Sequence, residues 1–469
     1  MHHKIYKTKK MEKMKMKNVL LITAITVGIG SVFTSCSKKE GCTDVTAENF
    51  NTAAEKDDGS CIYKVDVTTP PAAGGQTITV SDNTGTTTWS KENVYLLDGF
   101  VFVNSGDILT IEAGTVVKGK SGTGASASAL IVAKGGVINA VGTAANPIIF
   151  TFEADPLDGS VSVTTTGQWG GLIVLGDARL NTVPTSQNIE GIPTSEPRGA
   201  YGGTSDNDNS GVLKYISIRH GGTDIGAGNE INGLTLGGVG AGTVIEYIEV
   251  VANADDGIEF FGGTPNLKHI LVSNVLDDSY DYDQGFRGKG QFWVAIQNPN
   301  SDRGGEHDGG TTPEDGLPYA TPMLYNNTYI GNGTSRAITF RDNAGGEYHN
   351  SIFHNFGKGI DIEDLASGED SKARLDAGDL KLDGIVLSNI SVDNIVSAFT
   401  NPGTDLSGHA SITNIITASA GITATSPIPT SSLGTGTAST DTWYDNVTYM
   451  GAFDANGTNW ASGWTLTFQ

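Results

Sequence analysis

Short apolar runs alternate with polar positions along most of this chain, and Gly, Asn or Asp punctuates them every few residues. Ile245-Glu246-Tyr247-Ile248-Glu249-Val250 is one such run. Side chains of a strand point to opposite faces in turn. Alternation therefore predicts Ile245, Tyr247 and Glu249 on one face, and Ile248 and Val250 on the other. Leu267-Lys268-His269-Ile270-Leu271-Val272 repeats the pattern 22 positions later. The segments that follow, Asp255–Phe260 and Asp277–Tyr282, keep the same offset. Leu213–Ile218 is an earlier copy. Gly359–Asp364 lies 22 after Ala337–Asp342, and Asn350–Asn355 lies 23 after Asn327–Asn332. Leu387–Val392 reads as another rung. Helical periodicity is scarce.

One such unit cannot bury its apolar face alone, but stacked units can, each strand pairing with its equivalent in the next coil. The pattern predicts an all-β chain folded as a right-handed parallel β-helix, with Ile248 and Ile270 stacked inward in consecutive coils. A sandwich would give turn signals every few residues but no reason for side chains to match at a fixed offset.

Two stretches sharpen this. Ile108–Gly119 and Ala129–Ile138, running on to Pro147-Ile148-Ile149-Phe150, resemble the opening coils of pectin-lyase-like β-helix proteins. Trp169-Gly170-Gly171-Leu172-Ile173-Val174-Leu175 follows as the next rung. Residues 90–469 resemble a family of bacterial surface lipoproteins of this fold. The resemblance rests on that Trp-Gly-Gly rung, on 255–263, 277–290 and 302–309, and on Tyr449–Phe453 with Trp464. It implies the fold and a surface location rather than an activity.

The N-terminus agrees with export. Seven lysines between Lys4 and Lys17 precede an apolar run from Val19 to Phe33, the length of a signal-peptide core and short for a membrane span. Phe33-Thr34-Ser35-Cys36 resembles a lipobox. Residues 1–35 then read as the signal peptide and Cys36 as the lipidated residue. Met11, Met14 and Met16 are alternative starts. Residues 36–75 read as a tether, closed by a Cys42–Cys61 disulfide, since an even cysteine pair in an exported chain favours pairing. Asp44, Asn49, Asn51, Asp57 and Asp58 in that loop read as solvated turn residues. Residues 76–469 form the β-helix domain. No apolar run after Cys36 is long enough to span a bilayer as a helix.

Without residues 1–35 the chain carries 22 basic against 51 acidic residues, a net charge of −29. Such a surface repels nucleic acid and favours divalent cations or neutral and cationic ligands. The acids are concentrated. Asp255, Asp256 and Glu259 stack over Asp277, Asp278 and Asp281 at the 22 offset, with Asp283 beyond. Carboxylates about 4.8 Å apart repel, so they need a cation, a basic neighbour or raised pKa values. Asp255, Asp256, Asp277 and Asp278 are the candidate Ca²⁺ ligands. The alternative is a solvated ladder of turn residues, with Arg287 and Lys289 offsetting the charge.

The segment Asn298–Met323 breaks the coil rhythm, which marks it as a candidate binding loop with Asp302, Arg303, Glu306, His307 and Asp308. His307 offers a base or a metal ligand, but no second His lies at ligand spacing. His220 reads as a turn residue. Tyr280, Tyr282, Phe286, Phe292 and Trp293 read as core. The polygalacturonase signatures Asn-Thr-Asp, Gly-His-Gly and Arg-Ile-Lys are absent. The pectate lyase signature Trp-x-Asp-His is absent too, Trp293 being followed by Val294, Ala295 and Ile296. No catalytic residue is assigned. The reading is an outer-membrane lipoprotein that binds glycan or another envelope protein, with Ca²⁺ as a structural aid. The alternatives are a Ca²⁺-dependent polysaccharide lyase or hydrolase, and a structural adhesin. The anchor is directly testable: Cys36→Ser should move the protein from the membrane fraction to the soluble one, and unchanged partition would contradict acylation at Cys36.

Overall fold

The computed structural model describes residues 39, 41, 43, 51–56, 75–225, 230–390, 396–398 and 404–469. Residues 1–35, read as a signal peptide, and Cys36, Cys42 and Cys61 lie outside them. Among the described residues, 26 strands form one continuous sheet, and nearly every pairing within it is parallel. The sheet wraps as a right-handed parallel β-helix of three faces.

Strands such as Leu234–Gly237, Ile258–Phe261 and Tyr280–Asp283 stack on the first face. The other two faces come from single long strands bent in the middle. Val244–Val251 pairs with Asn266–Ser273 in an unbroken 22 register, Ile245 opposite Leu267 and Ile248 opposite Ile270. Between those pairs Tyr247 has φ +56°, the left-handed region. That one residue turns the strand through a corner. Ile245, Ile248 and Val250 are therefore all buried in the central core, and the expected split of Ile245 from Ile248 is overturned. The same corner recurs in neighbouring coils at Tyr215, His269, Phe292, Asn326, Asn350, Gly384 and Asn414.

The corner sets a register that repeat-matching missed. Thr328 pairs with Ile352 and Tyr329 with Phe353, an offset of 24 rather than 23. Asn326, not Asn327, is the equivalent of Asn350. The next rung is Leu380–Ser388, ending where Leu387–Val392 was expected to run. The Trp-Gly-Gly rung is confirmed: Leu172–Leu175 pairs with strands before and after it. A Cβ at Gly171 would meet the Asn232 carbonyl oxygen at 2.3 Å, so only glycine fits there.

Ile248 and Ile270 stack inward as expected, both almost fully buried. Tyr280, Tyr282, Phe286 and Trp293 share that core, while Phe292 joins a second one outside the coils. The second core is closed by residues 418–469, which run back along the third face with Met450, Ala452 and Phe453 against Leu271, Val294, Ile296, Ile330 and Ile352. The end of this strap is held by a buried carboxylate. Glu249 accepts the Leu466 N–H at 2.8 Å and the Thr467 N–H at 2.9 Å, satisfying backbone donors that would otherwise be buried alone. Tyr215, Tyr247 and His269 stack face to face at 4.3–4.4 Å beneath Trp460 and Trp464.

Coil packing makes a quantitative demand. Ile270→Ala should cost about 2–5 kcal/mol in urea unfolding, because the coils above and below prevent the cavity from closing. Glu246→Ala, which breaks only a part-exposed pair with Lys214, should cost less than about 1 kcal/mol. Equal costs would place Ile270 outside the core.

Candidate functional site

The first face carries the acids. Inward residues alternate with outward ones, and the outward position holds Thr235, Glu259, Asp281, Glu306, Thr339 and Asp361 in successive coils. At the corner just before this face, Asn232, Asp256 and Asp278 occupy equivalent places, since the Gly233 N–H donates to the Asp256 carbonyl and the Gly257 N–H to the Asp278 carbonyl. The corner aspartates have a structural duty. Asp256 Oδ1 accepts the Asp278 N–H at 2.8 Å, and Asp278 Oδ1 accepts the Arg303 N–H at 2.6 Å. Each carboxylate thus satisfies a backbone donor of the next coil, with one oxygen left to act elsewhere.

Coil stacking crowds these groups. Carboxylate oxygens of Asp256, Glu259 and Asp281 lie within 4.8 Å of one another, as do those of Asp255, Asp256 and Asp277, and those of Asp277, Asp278 and Asp302. Burial and mutual repulsion push Asp256, Glu259, Asp278 and Asp281 well above the usual carboxylate range. Burial, with Glu190 and Asp277 nearby, raises Asp255 to about 7. Burial is also the main cause that lifts Asp283, to about 6. Among the oxygens buried here with no hydrogen-bond partner are Asp281 Oδ1, Glu306 Oε1 and the Oδ1 of Asn232, whose amide nitrogen donates to Glu259.

The compensation is uneven along the face. Arg303 Nη1 lies 2.7 Å from Asp302, 2.9 Å from Glu306 and 3.3 Å from Asp278. Arg341 reaches Asp308 at 2.6 Å and Glu306 at 2.9 Å. This end sets two guanidiniums among four carboxylates. At the other end, among the described residues, Glu190, Asp255, Asp256, Glu259 and Asp281 have no basic side chain within ion-pair distance. Arg287 and Lys289 do not offset the cluster as expected; they pair with Asp206 and Asp441, respectively.

The expected binding loop is mostly a rung. Arg303–Asp308 is a strand paired with Tyr280–Tyr282 below and Arg336–Arg341 above. The real insertion is 309–322. Asp302, Arg303, Glu306 and Asp308 do meet the acidic cluster, but His307 points the other way. It is buried in the core, stacked 4.0 Å from Tyr282, with Nε2 2.7 Å from the Tyr348 hydroxyl. Burial pushes it down to about 3, so it stays neutral. A surface base or metal ligand is ruled out there by its position on the inward side of the strand. His220 is the turn residue it was read as, with φ +60°.

Three of the four expected ligands, Asp255, Asp256 and Asp277, form one triad, Asp277 and Asp278 join Asp302 in another, and Asp256 alone joins Glu259 and Asp281. Glu259 and Asp281 were legible in the 22 offset. Glu190, from the excursion 187–201, and Asn232 carried no signal, because neither belongs to a repeated acidic pair.

Comparison with known families bears on this face. The family model described as a pectate-lyase like beta helix domain matches residues 80–465. The chain belongs to that family. No curated protein and no solved structure matches it. In this pectate-lyase-like β-helix the candidate site is therefore defined by its own geometry.

That geometry predicts an inverted pH response. A carboxyl raised on folding keeps its proton in the folded state where the unfolded chain has released it, so stability falls as pH rises. With divalent cations removed, the melting temperature should drop as pH rises from about 4 to about 7, the span between an ordinary aspartate and folded Asp255. Asp281→Asn should flatten the drop. A melting temperature that climbs over this range would show the cluster to be compensated by charge.

Proposed function

We propose that this chain is a cell-envelope lipoprotein, tethered through Cys36 to the outer membrane, whose acidic face binds a glycan or another envelope partner without catalysis. Ca²⁺ is its structural aid. The observation that carries this reading is the uncompensated end of the first face: five carboxylates, one of them Asp281 with an unpartnered buried oxygen, and, among the described residues, no basic side chain paired with them. Hard oxygen ligands at this density suit Ca²⁺, which takes six to eight of them. The non-catalytic part is supported by the state of the candidate bases. His307 is in the core, and Arg303 and Arg341 are each clasped by carboxylates. A lyase of this family type would need a basic group free to take a proton beside the metal.

A second reading has one observation in its favour. Asp256, Glu259 and Asp281 place oxygens within 4.8 Å of one another with raised proton affinity, the ingredients of an acid and a nucleophile in glycoside hydrolysis. It requires turnover.

Chelation decides the cation. In the wild type, EDTA should lower the melting temperature. A site filled at a hundredfold excess over Kd adds about 2.7 kcal/mol. Asp256→Asn combined with Asp278→Asn should abolish that response while keeping the Oδ1 acceptors that hold the next coil. A response that survives both substitutions places the cation elsewhere, and no response in the wild type refutes it. A glycan-array screen of residues 76–469, with and without Ca²⁺, tests the ligand. Product formation from any hit would favour the enzyme over the binding protein.

A further inference from the structure

Strand Ile258–Phe261 starts beside the acidic corner and ends at Gly262, where the chain turns away from the first face. Loops 177–186 and 202–206 and the insertion 309–322 are lashed together at this end. The Val183 N–H donates to the Thr312 carbonyl at 3.0 Å, and the Gly203 N–H to the Ala178 carbonyl at 2.9 Å. Between them lies a cavity of about 470 Å³, whose lining includes Arg179, Leu180, Thr185, Thr204, Leu317 and Pro318. Leu180 is a fixed wall: a Cβ on Gly202 or on Gly262 would meet it at 2.6 Å. Leu317 is 71% exposed, and Val183 on the adjoining loop 69%, the most exposed large apolar residues among those described. Apolar side chains left together on a surface mark a binding site.

The charge here is opposite to that of the acidic face. Asp206 holds two guanidiniums: Arg179 through Nε at 2.9 Å and through Nη2, and Arg287 through Nη1 at 3.1 Å. Among the described residues no other carboxylate acts on Arg179. Asp177, behind Gly203, lies 3.4 Å from Lys134. Two guanidiniums on one carboxylate leave a positive charge over. Arg287 is spent, its Nε on Gly285 and its Nη2 on the Arg179 carbonyl. The charge is therefore offered by Arg179, whose side chain is 54% exposed and lines the cavity. A guanidinium has five N–H donors, and Asp206 covers only the Nε–Nη2 edge, so the Nη1 end stays open.

We propose that this cavity binds a small organic monocarboxylate, its carboxylate on the Nη1 end of Arg179 and its apolar body against Leu180, Leu317 and Pro318. The site lies at the other end of the strands from the acidic corner and stands whether or not that corner holds a cation. Arginine is the side chain suited to planar recognition of a carboxylate, and a bond with both partners ionised is stronger than a neutral one. The Thr185 and Thr204 hydroxyls in the lining offer further donors. The volume is that of an ordinary small-molecule site. A cation is repelled by the guanidinium pair. A neutral molecule of the same shape gains the apolar wall but not the charge.

The probe is 4-phenylbutyrate, with 4-phenylbutan-1-ol as its neutral match and 4-phenylbutylamine as its cationic one. Each is titrated calorimetrically into the full-length protein near neutral pH, in buffer stripped of divalent cations on a chelating resin. A carboxylate bridging to a cation on the acidic face then cannot register. The acid should bind saturably with one site per chain, the alcohol at least about tenfold more weakly, and the amine more weakly still. Arg179→Gln should lose a factor similar to that between acid and alcohol. Leu317→Ala should weaken the acid several-fold through the lost wall. Both side chains are exposed, so both variants should fold, which their melting curves check. No saturable binding of the acid would overturn the proposal. So would an alcohol or amine that binds as tightly as the acid, or undiminished binding of the acid in either variant.

Discussion

Backbone hydrogen bonds hold consecutive coils of a parallel β-helix about 4.8 Å apart, and that spacing decides what each side chain meets. Its neighbour is the residue at the same place one coil away. For apolar residues this is favourable everywhere: Ile248 lies on Ile270, and Phe260 on Tyr282. Tyr215, Tyr247 and His269 turn it into an aromatic column on the outside, which the strap then covers. For carboxylates the same spacing is costly, since Glu259 is held over Asp281 and Asp281 beside Glu306 by a backbone that cannot relax.

The molecule meets that cost in three ways along one face. At the corner, Asp256 and Asp278 turn an oxygen onto backbone N–H groups, which favours the charged form and ties coil to coil. Toward the later coils, Arg303 and Arg341 stand among Asp278, Glu306 and Asp308. Toward the earlier coils no guanidinium stands among the carboxylates, and on the proposed reading the groups keep protons or take up a cation. A site that is expensive when empty gains when filled. On the proposed cation reading, the uncompensated end is where binding and stability would be linked most strongly.

Most of the fold was legible because an offset of 22 is visible wherever two coils lack an insertion, as in 245–250 against 267–272. The corner was not. A left-handed residue is expected to be Gly or Asn, and in the early coils it is Tyr215, Tyr247, His269 and Phe292. The hint was in later coils, where Asn326, Asn350, Gly384 and Asn414 stand at the same place. Adjacent Asn326 and Asn327 made the match ambiguous by one residue, and a one-residue slip moves every side chain to the other face. His307 shows the same limit at the site. Its acidic neighbours Glu306 and Asp308 suggested a polar cluster, yet alternation sends it inward while they face out. The acidic ladder could be read from stacking alone, but not the excursion that brings Glu190 onto it.

The proposed role of the stacked carboxylates is to hold a cation. Diffraction from crystals grown with saturating Ca²⁺, recorded where calcium scatters anomalously, tests it directly. An anomalous peak is expected among Asp256, Glu259 and Asp281, at roughly 2.3–2.6 Å from their carboxylate oxygens. Carboxyls joined in direct hydrogen-bonded pairs, with no anomalous peak between them, would contradict it.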